Sequence, residues 1–180
     1  YSLLSSSGAL CQTTEWGKAQ EVLTKMNVAA ANLAAQLASE KLKEIGELAA
    51  ASFYGDYSPK QYGRSYGLYE ASQPLVKTIS GPGTAQGGIV ISSSSIGGHY
   101  NQSPETVFEW DFIGGEHGGY NVGTPTSSPS PMQTIENDVN SRRAELEASC
   151  AQEAMAIIQG QYMNELKAAM IADFKSQGVK

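Results

Sequence analysis

Histidine and cysteine are scarce in this chain, with two of each among 180 residues. Cys11 and Cys150 stand far apart and form no metal-type spacing. They read as two buried free thiols packed as small hydrophobes, unless two long helices bring them close enough to bridge. Charge is sparse as well: 17 % of residues are charged, with a net charge of −6 and a pI near 4.9. Arg142-Arg143 is the only adjacent basic pair, so no basic patch exists for sequence-specific nucleic-acid binding. An acidic surface can still line a path for DNA, because like charge repels the phosphates. No apolar run approaches the ~20 residues that a bilayer-spanning helix needs. Free thiols make the cytoplasm the expected compartment for synthesis, and residues 1–11 lack the positive start of a signal peptide.

The signatures of familiar catalytic machinery are missing too. No Gly-x-Ser-x-Gly elbow surrounds the Ser92–Ser95 run. Gly81-Pro82-Gly83 is no phosphate loop, since proline removes a needed N–H donor and no Lys-Ser/Thr follows. Asn101-Gln102-Ser103 matches a glycosylation acceptor only formally. His99 and His117, with Asp111 and Glu116, are the residues a metal would have to use. Glu116 and His117 are adjacent in a glycine-flanked loop, without the spacing that sets ligands on one side. Glu109 and Asp111 could serve a hydrolase together with His117, but a solvated strand face explains that pair more simply. The expectation is no catalytic residue, no cofactor and no metal.

What the chain does have is long helical periodicity, rich in alanine. Val22, Met26, Ala30, Leu33, Leu37, Lys41, Ile45 and Leu48 recur at steps of three or four, predicting a helix over 14–52 with Lys41 as its polar intruder. A helix of 39 residues would span about 58 Å and must lie along a second long helix or project into an assembly. Ser130-Pro131-Met132-Gln133 predicts the start of that second helix by N-cap, proline and capping box. Its stripe runs Ile135, Val139, Leu146, Cys150, Ala154, Ile158, Tyr162, Leu166, Met170, Phe174, and Gly160 marks a bend or a tight crossing. Between the helices three strands are predicted, at Leu75–Ile79, Ile89–Ile91 running on toward Ile96, and Val107–Ile113. In the last, Phe108, Trp110 and Phe112 alternate with Glu109 and Asp111. The expected fold is α+β, two long helices on a small antiparallel sheet of about three strands in the order α-β-β-β-α. An arm at 1–13 precedes a single domain at 14–180, whose Gly/Ser/Pro-rich loop at 114–131 is a candidate contact arm.

One stretch stands apart, Phe53 to Leu68, which sets Tyr54, Tyr57, Tyr62 and Tyr66 around Pro59 and Arg64. Tyrosine and arginine are favoured contact residues, and proline stiffens the turn that presents them. The same rings can equally pack inside the chain, since a buried tyrosine needs only one partner for its hydroxyl.

The string Phe53-Tyr54-x-x-Tyr57-x-Pro59-x-x-Tyr62-x-Arg64-Ser65-x-x-Leu68 resembles a segment in neck and tail-completion proteins of tailed bacteriophages. In that family the corresponding string follows the first long helix and leads into a strand, and threonine is the more familiar residue where Ser65 stands. Glu116-His117-Gly118-Gly119 is similar to a second, weaker feature of such chains. The resemblance implies a non-enzymatic virion component, a homo-oligomeric ring at the head–tail junction (a connector) or at the tail end (a terminator). Its other partners would be virion proteins, the portal or adaptor or the tail tube. DNA would pass nearby without sequence-specific binding, and no membrane would be involved. Tyr54, Tyr57, Pro59, Tyr62, Arg64, Tyr66 and His117 are then the expected interaction residues. A secreted or surface filament or adhesion subunit is the alternative, with a Cys11–Cys150 bridge as its mark.

Overall fold

The computed structural model of the chain describes residues 16–56, 67–78, 81, 84–96, 102–114, 116–117, 120–121 and 129–178, with the backbone alone at 56, 116, 117, 120 and 121. Most of these residues are helical. The frame is a pair of antiparallel helices, α1 (Gly17–Asp56, 40 residues) and α3 (Pro131–Ser176, 46 residues). At 1.5 Å per residue they measure about 60 and 69 Å.

The start of α3 follows its sequence signal. The Ser130 hydroxyl accepts from the Gln133 N–H at 3.2 Å, the Gln133 side chain accepts from the Ser130 N–H at 3.1 Å, and Pro131 takes the first turn. The bend in α3 is not at Gly160 but at Arg142, whose φ of −133° and ψ of 20° leave the helical region. There the Ser141 hydroxyl donates to the Asp138 carbonyl at 2.8 Å, and the Arg142 guanidinium pairs with the Asp138 carboxylate at 2.6 Å. A hydroxyl that takes up a helix carbonyl in this way is a recognised cause of bending.

Three contacts fix the register of the pair along its length. Lys41 donates to Ser149 at 3.2 Å, Lys25 faces Glu165 at 3.6 Å, and Asp173 reaches the first turn of α1. Lys41, the expected polar intruder, is thus a cross-helix donor, with Glu153 at 3.9 Å as a second neighbour. Val22, Met26, Ala30 and Ile158 form one buried cluster. A second gathers Ile45, Ala49, Ala50, Phe53 and Tyr54 with Leu68, Ile96, Phe112 and Ile135. Three members of the predicted stripes, Leu48, Met170 and Phe174, miss the core. Leu48 is 68 % exposed, because the buried face of α1 advances by fours from Ile45 through Ala49 to Phe53. In α3 the buried face passes from Leu166 to Ala169 and Asp173, leaving Met170 and Phe174 on the outside.

The sheet that packs on α1 has two strands, β1 (Ser72–Lys77) and β2 (Gln86–Ile91), paired antiparallel from Ser72↔Ile91 to Lys77↔Gln86. Both strands are edges, so Pro74 is accommodated in β1. The expected continuation of β2 toward Ile96 is a turn of 3₁₀ helix at Ser93–Ser95. The third expected strand, Val107–Ile113, is helical. A short helix, α2 (Pro104–Phe108), passes directly into a π-helical turn at Glu109–Gly114. Ser103 caps it by accepting from the Thr106 N–H at 3.3 Å, and Pro104 sits in its first turn. The observed order is therefore α-β-β-α, then a two-residue hairpin β3 (Glu116–His117) with β4 (Tyr120–Asn121), then α3.

Ser72, at the head of β1, is fully buried, and its hydroxyl has no hydrogen-bond partner among the described residues. An orphaned buried hydroxyl costs free energy that its removal returns. Ser72→Ala should therefore raise the unfolding free energy by about 1 kcal/mol in urea titrations. A loss of similar size would show that the hydroxyl is satisfied after all.

Candidate functional site

The residues on either side of the tyrosine segment, Phe53 and Tyr54 before it and Leu68 after it, meet in the core. Tyr54, in the last turns of α1, is buried, and its hydroxyl accepts from the backbone N–H of Leu68 at 3.2 Å. Its ring lies 5.2 Å from that of Tyr69 and 5.9 Å from that of Phe53. Leu68 is buried beside it in a 3₁₀ turn at Gly67–Glu70. The Ser95 hydroxyl donates to the carbonyl of Gly67 at 2.9 Å. The chain on either side of 57–66 is thus tied to one point of the core by a tyrosine, a serine and a leucine. Tyr54 serves the intramolecular role weighed for it. Tyr57, Pro59, Tyr62, Arg64 and Tyr66 lie outside the described residues, and so does the side chain of His117. Removing the Tyr54 hydroxyl would leave the buried Leu68 N–H without this partner. Tyr54→Phe should cost about 1–2 kcal/mol of stability, read as a lower urea midpoint at unchanged slope.

A groove of about 970 Å³ opens between α1, the β1–β2 hairpin and α3. Its α1 wall is alanine (Ala31, Ala34, Ala35, Ala38), and Cys150 closes the α3 side as a buried free thiol. Lys77, Arg143 and Glu147 are the charged residues on its lining, and the last two pair with each other at 3.5 Å. Ser39 holds the hairpin over α1. Its hydroxyl accepts from the Gly88 N–H at 2.9 Å and lies 2.9 Å from the Leu75 carbonyl and 3.0 Å from that of Ala35. These walls pack or bind; they bring no nucleophile against a base.

Of the candidate acid/base and metal residues, His99 and the side chains of Glu116 and His117 lie outside the described residues. Glu109 and Asp111 stand on consecutive parts of a π-helical turn rather than on one strand face. Among the described residues no three His, Cys, Asp or Glu side chains lie close enough to hold a metal ion. Glu105, fully exposed, has its carboxyl held below the ordinary value by its own backbone N–H and then by the Ser103 hydroxyl. That is what a capped helix start does to an acid in its first turn. No family model matches the chain, and no curated protein or solved structure matches it.

Asp173 is the polar residue that reading by periodicity missed. It is buried on α3, and its carboxylate accepts from the Ala19 N–H at 2.9 Å and lies 3.4 Å from the Lys18 N–H. The first turn of α1 holds no acid of its own, so Asp173 supplies across the pair the acceptor and the negative charge that a helix start favours. The apolar stripe of α3 read from the sequence ran on through Met170 and Phe174 and gave no sign of it.

Proposed function

We propose that this chain is a non-enzymatic structural protein of a tailed-phage virion. It acts by self-association into a ring at the head–tail junction or at the tail end. The observation that carries the reading is how firmly the residues on either side of the tyrosine string are held. The 40-residue α1 ends just before it, and Tyr54, Leu68 and Ser95 tie its flanking residues to the core. The resemblance to neck and tail-completion proteins implies that this string is a contact surface. Three further features support it. The helix pair is far longer than its two modest clusters require, apolar side chains remain on its outer surface, and the net charge of −6 suits a wall beside DNA. Partners would be further copies and the portal, adaptor or tail-tube proteins. Among the described residues no helix is long and apolar enough to cross a membrane.

The test is direct. Mass spectrometry of purified virions from the encoding phage should find the chain at a ring-like copy number. Electron micrographs should place it at the neck or tail end after labelling. Its absence from particles, or a turnover measured for the isolated chain, would overturn the proposal. For the surface-filament alternative, non-reducing mass spectrometry decides: a Cys11–Cys150 bridge, seen as a two-proton loss, would favour it, and free thiols would disfavour it.

A further inference from the structure

The distal half of α3 has two faces. One packs on α1 through Ala154, Ile158, Tyr162, Leu166, Ala169 and Asp173, each buried or half-buried. The other follows steps of four and three through Ala156, Gly160, Met163, Lys167, Met170 and Phe174, the spacing of a single helix-pairing seam. All six are exposed, and Ile171, 54 % exposed, flanks them. Phe174 rests one ring edge on Trp16 at 4.7 Å and keeps 39 % of its surface open. Gly160 has no internal reason to be glycine, since a Cβ there would meet nothing within 4 Å. A glycine inside a helix weakens it, and within one copy nothing is gained in return.

We infer that this face is a two-fold contact in which α3 of one copy packs antiparallel on α3 of a second copy. The pattern is self-complementary about Glu165. Phe174 and Ala156 lie equally far from it on opposite sides, as do Met170 and Gly160, and Lys167 and Met163. An antiparallel pairing thus seats each large side chain on a small one. Gly160 admits the Met170 of the second copy, and the Lys167 stem lies along Met163 while its ammonium reaches water. Charge permits it. Between Glu153 and Asp173 the helix carries only Glu165 and Lys167, so this segment is neutral on a chain of net charge −6. A seam ~27 Å long and one helix wide buries on the order of 1,000 Å² over both copies, the low end for a stable pair. The contact is therefore weak in solution and strengthened where other contacts hold the copies together. This inference rests on the self-association reading above and names one surface for it, a closed two-fold pair that needs a second, head-to-tail contact to complete a ring.

Sedimentation equilibrium of the full chain should show a reversible monomer–dimer equilibrium. Met163→Glu combined with Met170→Glu should weaken it by about 100-fold or more, while far-UV circular dichroism and the melting temperature stay those of the parent. Gly160→Leu, at a position where a Cβ meets nothing within 4 Å in one copy, should weaken it as well. Register is tested in a Cys11→Ser background. Gly160→Cys with Met170→Cys should oxidise to a covalent dimer, and neither substitution should do so alone. A chain that stays monomeric at all concentrations, or dimers indifferent to both sets of substitutions, would overturn the contact. So would a chain that dimerises only after residues 1–15 are removed, which would give this face to that segment instead. Virion incorporation that survives Met163→Glu/Met170→Glu would refute this seam and leave the ring proposal standing. A chain that neither dimerises nor enters virions refutes both.

Discussion

Phe112→Ala should cost about 3–5 kcal/mol of unfolding free energy, the loss expected when a fully buried aromatic is cut back to a methyl. Phe112 is completely buried, stacked on Phe108 with ring centroids 5.1 Å apart and planes 16° apart. It sits in the cluster where Ile45, Ala49 and Phe53 of α1 meet Ile135 of α3. The π-helical turn has no other fully buried residue, so removing this ring frees the turn from the helix pair. Ile113→Ala is the control. That side chain is 45 % exposed, and its loss should stay near 1 kcal/mol. Chemical denaturation of both variants gives the comparison. Equal losses would mean that residues 107–113 do not pack as a helical turn.

The same segment shows where reading the sequence ran short. Phe108, Trp110 and Phe112 alternate with acids, which is the strand period. Phe108 and Phe112 are also four apart, which is the helix period, and so short a run satisfies both. The signal that separates them stood just upstream. Ser103-Pro104-Glu105-Thr106 has the same grammar as Ser130-Pro131-Met132-Gln133, a capping hydroxyl followed by proline in the first turn. Reading one and passing over the other cost a strand. The long helices, the capping box and the β1–β2 region were legible because periodicity over dozens of residues, or a chemically specific cap, leaves few alternatives. Asp173 was not, because its partner is the backbone of a helix that lies 154 residues away in sequence. Of the candidate contact residues, Tyr54 was expected to serve in contacts or in packing, and it is buried in the core. What the sequence could not disclose was that its hydroxyl would hold the Leu68 N–H, since the fold, not the spacing, brings them together.

Gly87→Ala should be nearly as damaging as Phe112→Ala, at about 3 kcal/mol, although it adds only one methyl group. A Cβ at Gly87 would lie 2.1 Å from the carbonyl oxygen of Ala35, 2.9 Å from its carbon and 3.0 Å from the Ser39 hydroxyl. The first two atoms belong to the backbone of α1, which cannot turn aside as a flexible side chain would. The hairpin must lift, and lifting stretches the two contacts through which Ser39 ties both strands down, to Gly88 and to Leu75. Two substitutions separate the causes. Gly88→Ala places its methyl in open space and should change stability by less than about 1 kcal/mol, excluding a general intolerance of side chains in β2. Ser39→Ala should cost about 1–2 kcal/mol alone but much less in the Gly87→Ala background, where its bonds are already strained. A double-mutant cycle in urea measures that coupling. If the two losses simply add, the hairpin stays seated on α1 when Gly87 gains its methyl, and the close approach of the two backbones is not what holds the sheet to the helix.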